Sequence, residues 1–378
     1  QSRGGTLQIS VPSRRVDIQR EEDLVEEVAR MMGYETIPST VPGFITSSTG
    51  RPKPSAGLDR SRSFMAAAGY LESINFPLSR MEVQKPFMEV FPSGNSPVLL
   101  DNPLVDQMDT LRVSLLPGLL ECLARNVNRD ALDLKLFEVG RVYREGSPAT
   151  ITAGSPAPRD RSLPQERPVL AAVASGPAIP GHWSAGPRSL DFSHLKGIVE
   201  TFTWRVGGFQ ARVQPPGSPA ALPFLAQGEN ALILEKDTRR GVIGRLRPDL
   251  ASFLDLKGKI YVFEMDLMGV DPVPPSVTYK PLPRQPAARR DLALMVADDV
   301  PYERLQEIVL EQGRGLLEEV PLFDRYEGHS IPHGQVSLAL HLVFRDARRT
   351  LTTAEVQEIQ DRVVARLGSE LGAVLRES

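Results

Sequence analysis

Val336-Ser-Leu-Ala-Leu-His-Leu-Val-Phe344 puts an apolar side chain at every other position. Residues 336, 338, 340, 342 and 344 would line one face of a strand, and Ser337, Ala339 and His341 the other. Working back, Leu292, Leu294 and Val296 repeat the period of two. Pro301 then opens a helical stretch carrying Leu305, Ile308 and Val309, which Gly313 closes. Val320–Tyr326 reads as a second strand. Working forward, Thr352 and Glu355 form a capping box for a helix bearing Val356, Ile359, Val363 and Leu367. Ala373–Leu375 can close the sheet. The order β-α-β-β-α-β is that of a ferredoxin-like unit, expected over 276–378 behind a proline-rich linker at 270–287.

From 55 to 275 helical stretches (55–69, 118–128, 191–203) alternate with strand-like runs (Leu134–Tyr143, Val169–Ala174, Ala231–Leu234, Tyr261–Leu267). This pattern predicts an α+β domain on a mainly antiparallel sheet. The Ser-, Pro- and Gly-rich stretch 145–167 reads as a surface loop within it. Residues 1–43 read as the end of a smaller domain. Their helix, Arg20 to Met32, gathers Leu24, Val25, Val28, Met31 and Met32 on one face and stops at Gly33. A linker follows at 44–54.

Composition excludes several classes. The chain has 378 residues, 41% of them hydrophobic, enough for sizeable cores. No apolar run is long enough to span a bilayer. Its single cysteine, Cys122, rules out an internal disulfide and fits a cytoplasmic location. A net charge of −3 gives no overall signal for nucleic acid, so any RNA site must be a local patch. Phosphate-binding loops, a dinucleotide fingerprint, a nucleophile elbow and zinc motifs are all missing from the sequence. His329 and His333 lie in a Gly- and Pro-rich turn and do not read as a chelate. The opening Gln1-Ser-Arg-Gly-Gly5 is neither a signal peptide nor an initiator methionine, which fits a portion of a longer chain.

Two local groups carry chemistry. On the helix after Arg20, Asp23, Glu26 and Glu27 lie opposite the apolar face, and Asp17 stands just before it. Carboxylates drawn together without matching cations repel, and a hard divalent ion would relieve that. A solvated acidic face that favours the helix dipole is the other reading. In the last unit the balance is not basic, with 13 Lys and Arg against 16 Asp and Glu. Its cations are clustered, however. Lys280, Arg284, Arg289 and Arg290 precede and enter the first strand, and Arg345, Arg348 and Arg349 follow the third. Such clusters suit RNA phosphates. Asp324 and Tyr326, two apart, share a strand face with Phe323 directed to the other side. Tyr326 would stack on an unpaired base, and Asp324 would accept hydrogen bonds from a base edge.

Four groups of segments together resemble the bacterial phenylalanine–tRNA ligase β subunit. They are Val11-Pro-Ser-Arg-Arg-Val-Asp-Ile18 with Asp23-Leu-Val-Glu-Glu-Val-Ala-Arg-Met-Met-Gly-Tyr34; Asn102-Pro-Leu104, Leu115-Leu-Pro-Gly-Leu-Leu120 and Leu136-Phe-Glu-Val-Gly-Arg-Val-Tyr143; Asp191-Phe-Ser-His-Leu-Lys-Gly-Ile-Val-Glu200, Gly241-Val-Ile-Gly-Arg-Leu-Arg-Pro248 and Phe263-Glu-Met-Asp266; and Arg289-Arg-Asp-Leu-Ala-Leu294, Leu322-Phe-Asp-Arg-Tyr326 and Arg348-Arg-Thr-Leu-Thr352. The resemblance covers the C-terminal half of that subunit. It implies the end of a winged-helix-like domain at 1–43, a class II ligase catalytic-like domain without its active site at 44–275, and a ferredoxin-fold anticodon-binding domain at 276–378. It further implies an α subunit that binds ATP and phenylalanine, an (αβ)2 heterotetramer and tRNA(Phe) as substrate. A magnesium ion shared with α would sit at Asp17, Asp23, Glu26 and Glu27. The family's editing and N-terminal tRNA-binding domains are not in this chain, so editing is not expected of it.

A class II ATP site needs an arginine on one strand for the α-phosphate and another at the end of a Gly-rich strand. The nearest residues, Arg141 and Arg247, read as structural. The helix at 55–69 and the Leu115–Asn128 region are expected at the interface between subunits. A stand-alone RNA-binding scaffold of the same folds is the alternative. A small-molecule sensor would need paired ferredoxin-like units, and only one is found.

Overall fold

The computed structural model describes residues 2–3, 5–40, 53–91, 96–103, 105, 108–146, 163–218, 222–270, 279, 281–313, 315–328 and 331–376. The chain forms two compact units, Gln1–Pro275 and Ser276–Ser378.

The first unit opens with a hairpin, β1 (Ser2–Arg3) and β2 (Thr6–Leu7), and a helix, α1 (Glu21–Met32). The Asp23 carboxylate begins α1 by accepting the backbone N–H groups of Gln19 (2.7 Å) and Arg20 (2.8 Å). Gly33, at φ 86°, ends it. The apolar stripe read from the sequence is present, but Val25, Val28, Met31 and Met32 are all exposed and no residue of α1 is buried.

The rest of the unit runs α2 (Lys53–Ala67), β3 (Leu71–Glu72), β4 (Leu78–Ser79), α3 (Met81–Gln84), β5 (Thr110–Leu111), α4 (Leu116–Val127), β6 (Lys135–Arg144), β7 (Gln165–Ala174), β8 (Pro177–Ile179), β9 (Arg188–Ser189), α5 (Phe192–Phe202), β10 (Arg212–Gln214), β11 (Leu225–Glu235), β12 (Thr238–Leu246), α6 (Pro248–Phe253) and β13 (Tyr261–Asp266). Seven strands form one sheet in the order β10-β11-β12-β13-β7-β6-β3, antiparallel except for β3 beside β6. Phe87, Val90 and the α4 residues Leu116, Leu119, Leu120 and Leu123 pack on one face. Met65 of α2 and Leu195, Val199 and Phe202 of α5 pack on the other. Burial on both faces is why Val169–Ala174 is an apolar run without alternation, and why every residue of it and of Tyr261–Asp266 is buried, Glu264 and Asp266 included.

α4, expected at a subunit interface, gives Leu116, Pro117, Leu119, Leu120 and Leu123 to the core. It also props the sheet edge, with Gly118 against Asn75 and the Cys122 sulfur 3.4 Å from Ser73 Oγ. Along that edge the usual alternation is inverted. Asn75 turns inward and donates to Glu138 at 2.7 Å, whereas Ile74 and Phe76 are 86% and 79% exposed.

The second unit contains β14 (Ala288–Ala297), α7 (Tyr302–Gln312), β15 (Leu317–Glu319), β16 (Leu322–Tyr326), β17 (Gln335–Phe344), α8 (Thr353–Leu371) and β18 (Val374–Leu375). The sheet order is β15-β17-β14-β18, with β16 also on β17, the ferredoxin-like arrangement. The capping box at Thr352 and Glu355 forms as read. Leu305, Ile308 and Val309 of α7 and Val356, Ile359, Val363 and Leu367 of α8 cover the apolar face of β14 and β17. The expected strand Val320–Tyr326 is broken. Pro321 has no N–H for the ladder, and Val320 drops into the core, its carbonyl held by the Tyr302 hydroxyl.

Candidate nucleic-acid interface

The face of the second sheet turned away from α7 and α8 is built from alternate residues of each strand. Asp324 lies opposite Ala339 and Tyr326 opposite Ser337, so the two share this face as expected. Phe323 does not point to the other side. The register shifts between Leu322, opposite Leu340, and Asp324, opposite Ala339. This bulge leaves Phe323 over His341, ring centroids 3.9 Å apart and planes 15° from parallel. Phe323, Asp324 and Tyr326 therefore contribute to one surface region, while Arg325, opposite Leu338, leaves on the other face. A bulge of this kind has no signature in the strand's own sequence. Arg376 was also missed. It follows β18, its guanidinium lies 5.4 Å from the Tyr326 ring centre, and it donates to Ser337 Oγ at 3.3 Å.

The arginine clusters divide. Arg289 pairs with Val343 and Arg290 with Leu342, so they leave β14 on opposite faces, Arg289 on the open one. Arg345 is committed to the fold, bonding Glu318 at 2.8 Å and the Gln285 carbonyl. Arg349 is committed too, to Glu355 at 2.6 Å. Its guanidinium, together with the Thr352 cap, holds the Glu355 carboxyl down at about 2. Arg284, Arg289 and Arg348 are exposed, with no side-chain ion pair among the described residues. Lys280 lies outside the described residues.

Two of the four carboxylates at α1, Asp17 and Glu27, do have cations. Arg15 bonds both Asp17 and Glu27 at 2.6 Å, and Arg30 takes the second oxygen of Glu27. These arginines hold the Glu27 carboxyl down at about 2 and lower that of Asp17. Asp23 is lowered by the two backbone N–H groups it caps. Among the described residues, no three His, Cys, Asp or Glu side chains stand close enough to hold a metal ion. As folded here, then, the set does not fit a divalent cation, because Arg15 fills the gap that a metal would bridge. The missed signal was Arg15 itself, two residues before Asp17.

In the larger unit Arg141 and Arg247 point outward, into ion pairs with Glu166 and Asp249. The inward-facing polar groups are different ones. Arg112 Nη1 meets Glu138 at 2.7 Å with both side chains buried. Beside them the fully buried Glu264 accepts the Ser114 hydroxyl and the Leu115 N–H (2.9 Å). A groove of about 700 Å³, lined in part by Asp133, Ser175, Lys257 and Lys259, contains none of these groups.

Burial pushes the Glu264 carboxyl up to about 7 from an ordinary 4.5. Its neutral form is the one the fold prefers. The stability this gives is present below pH 4.5 and is lost as pH rises through 7. Glu264→Gln is therefore expected to match the parent at pH 5 and exceed it by about 2–3 kcal/mol at pH 8. Urea unfolding at both values tests this, and equal stability at pH 8 would refute it.

Residues 37–267 match the family model described as the phenylalanyl tRNA synthetase beta chain CLM domain. The chain belongs to this family. Residues 283–376 match a ferredoxin-fold anticodon binding domain, and residues 1–34 a tRNA synthetase B5 domain. The phenylalanine–tRNA ligase β subunit of Symbiobacterium thermophilum is 35% identical over 98% of this chain and 40% of its own length. That of Moorella thermoacetica is 37% identical over 99% of this chain and 45% of its own. The chain thus spans less than half the length of these synthetase β subunits. Among solved structures, a pyrrolysyl-tRNA synthetase from Desulfitobacterium hafniense aligns with 65% of this chain and 74% of its own at 14% identity and a TM-score of 0.39.

Proposed function

We propose that this chain is the non-catalytic part of a phenylalanine–tRNA ligase β subunit that supports the α subunit's active site and binds the anticodon of tRNA(Phe). The observation that carries the anticodon role is the open sheet face, where Asp324 and Tyr326 stand side by side on a ferredoxin-like unit. Unpaired bases are read by stacking on exposed aromatic rings and by hydrogen bonds to their edges. Tyr326 supplies the ring. Asp324 supplies an acceptor for the N–H groups of guanine, the first base of the phenylalanine anticodon. Arg284, Arg289 and Arg348 are left for the RNA backbone.

On this reading residues 1–43 end a winged-helix-like domain, 44–275 form the class II synthetase-like domain and 276–378 the anticodon-binding domain. The α subunit holds ATP and phenylalanine in a cytoplasmic (αβ)2 assembly. It docks on the edge that presents Ile74 and Phe76. Among the described residues no helix is long and apolar enough to cross a membrane.

Asp324→Ala is expected to narrow the preference for guanine over other bases at the first anticodon position by about 5- to 100-fold. Weaker binding of every sequence alike is the effect expected of Arg348→Ala. Titration of the chain with tRNA(Phe) transcripts changed at that base measures both. An Asp324 variant that discriminates like the parent would end the base-reading role.

A further inference from the structure

Phe323 is the residue that the bulge in β16 adds to the strand, since Leu322 and Asp324 face successive residues of β17. Its ring is 50% exposed, on a unit whose core takes Leu340 and Leu342 a strand away. One ring face is covered by His341. His341 Nδ1 is in turn 2.6 Å from Asp291 Oδ1 on β14, so three strands hold the ring flat. Tyr326 sits over Ser337, four residues along β17 from His341, a separation of about 13 Å at strand rise. One base cannot touch both rings at that distance. A single strand crossing the face would meet each with a different base, passing Asp324 between them.

We propose that Phe323, positioned by His341 and Asp291, is a second stacking platform for the same single-stranded RNA. It would take an unpaired base other than the one that stacks at Tyr326. The proposal rests on the anticodon-binding reading above. Sheets with exposed aromatic rings bind single strands by stacking two or three bases in this way. Every base has a π face, so Phe323 adds affinity and places the strand, while choice of base stays with Asp324. Arg376 and Arg289 give the same face its positive charge.

The test titrates the full chain with tRNA(Phe) transcripts that carry 2-aminopurine at one anticodon-loop position at a time. Quenching of that base reports stacking. Phe323→Ala is expected to weaken binding by about 5- to 100-fold and to abolish quenching at one position. Tyr326→Ala should do so at a different position. Phe323→Trp should keep both the affinity and the quenching. His341→Ala should reduce quenching at the Phe323 position only. If Phe323→Ala binds and quenches like the parent while Tyr326→Ala is impaired, the second platform is overturned and the anticodon reading stands. If neither variant changes anything, both fall. If Phe323→Ala lowers the Tm, Phe323→Leu decides, because it fills the space without a π face. Parent-like quenching in that variant also overturns the proposal.

Discussion

Arg112→Met is expected to destabilise the larger unit by about 3–5 kcal/mol, the usual cost of stranding one partner of a buried ion pair. The Arg112 side chain is 9% exposed and that of Glu138 is 2% exposed. Arg112 also donates to the carbonyls of Arg141 (2.9 Å) and Asn75 (3.1 Å), so it ties the sheet edge to β6. Methionine fills a similar volume but leaves Glu138 charged in the core with only the Asn75 amide for a partner. Pairing the change with Glu138→Leu should recover much of the loss, because an apolar pair often replaces a buried ion pair at little cost. Both tryptophans, Trp183 and Trp204, lie in this unit. Urea unfolding followed by their fluorescence therefore reports on it directly. A loss below about 1 kcal/mol would show that the pair contributes little.

The second large effect is expected at the same edge. Ser73 and Asn75 face inward, which fixes Ile74 and Phe76 outward. Two large apolar side chains on a sheet edge are an aggregation hazard unless something covers them. On the function proposed here that cover is the α subunit. Phe76→Asp should leave the Tm of the isolated chain near the parent's, since the ring makes little contact within the chain. It should weaken association with α by about 2–4 kcal/mol, roughly 30- to 1000-fold. Sedimentation of co-expressed subunits would measure this. A variant that assembles like the parent would move the docking surface elsewhere.

Legibility varied with how local each signal was. The strand β17 was plain because its two faces differ chemically, core on one side and open on the other. α8 was plain because its cap and its apolar spacing lie within the helix itself. The large sheet was harder to read, because both faces are buried and the runs at β7 and β13 carry no period. What went unread depended on residues distant in sequence. Arg376 reaches Tyr326 only once β18 joins β14. Arg345 and Arg349, which read as free cations, are spent on Glu318 and Glu355. The acidic set on α1 was legible as a cluster. Its partial neutralisation by Arg15 was not, because a turn had to bring Arg15 within reach of Glu27, twelve residues on.

The Arg345 bond to the Gln285 carbonyl has a practical side for anyone wishing to isolate the smaller unit. Gln285 also accepts from the Thr350 hydroxyl through its side chain at 3.2 Å. A residue that precedes the first strand thus serves as a clasp across the start of the loop leading to α8. An excised fragment beginning at Pro286 would keep every strand and helix yet lose that clasp, and the 345–350 loop with Arg348 would be expected to loosen. Cutting several residues upstream of Gln285 retains it. The workable boundary for expression or labelling is therefore set by one hydrogen-bonded glutamine and not by where the first strand begins.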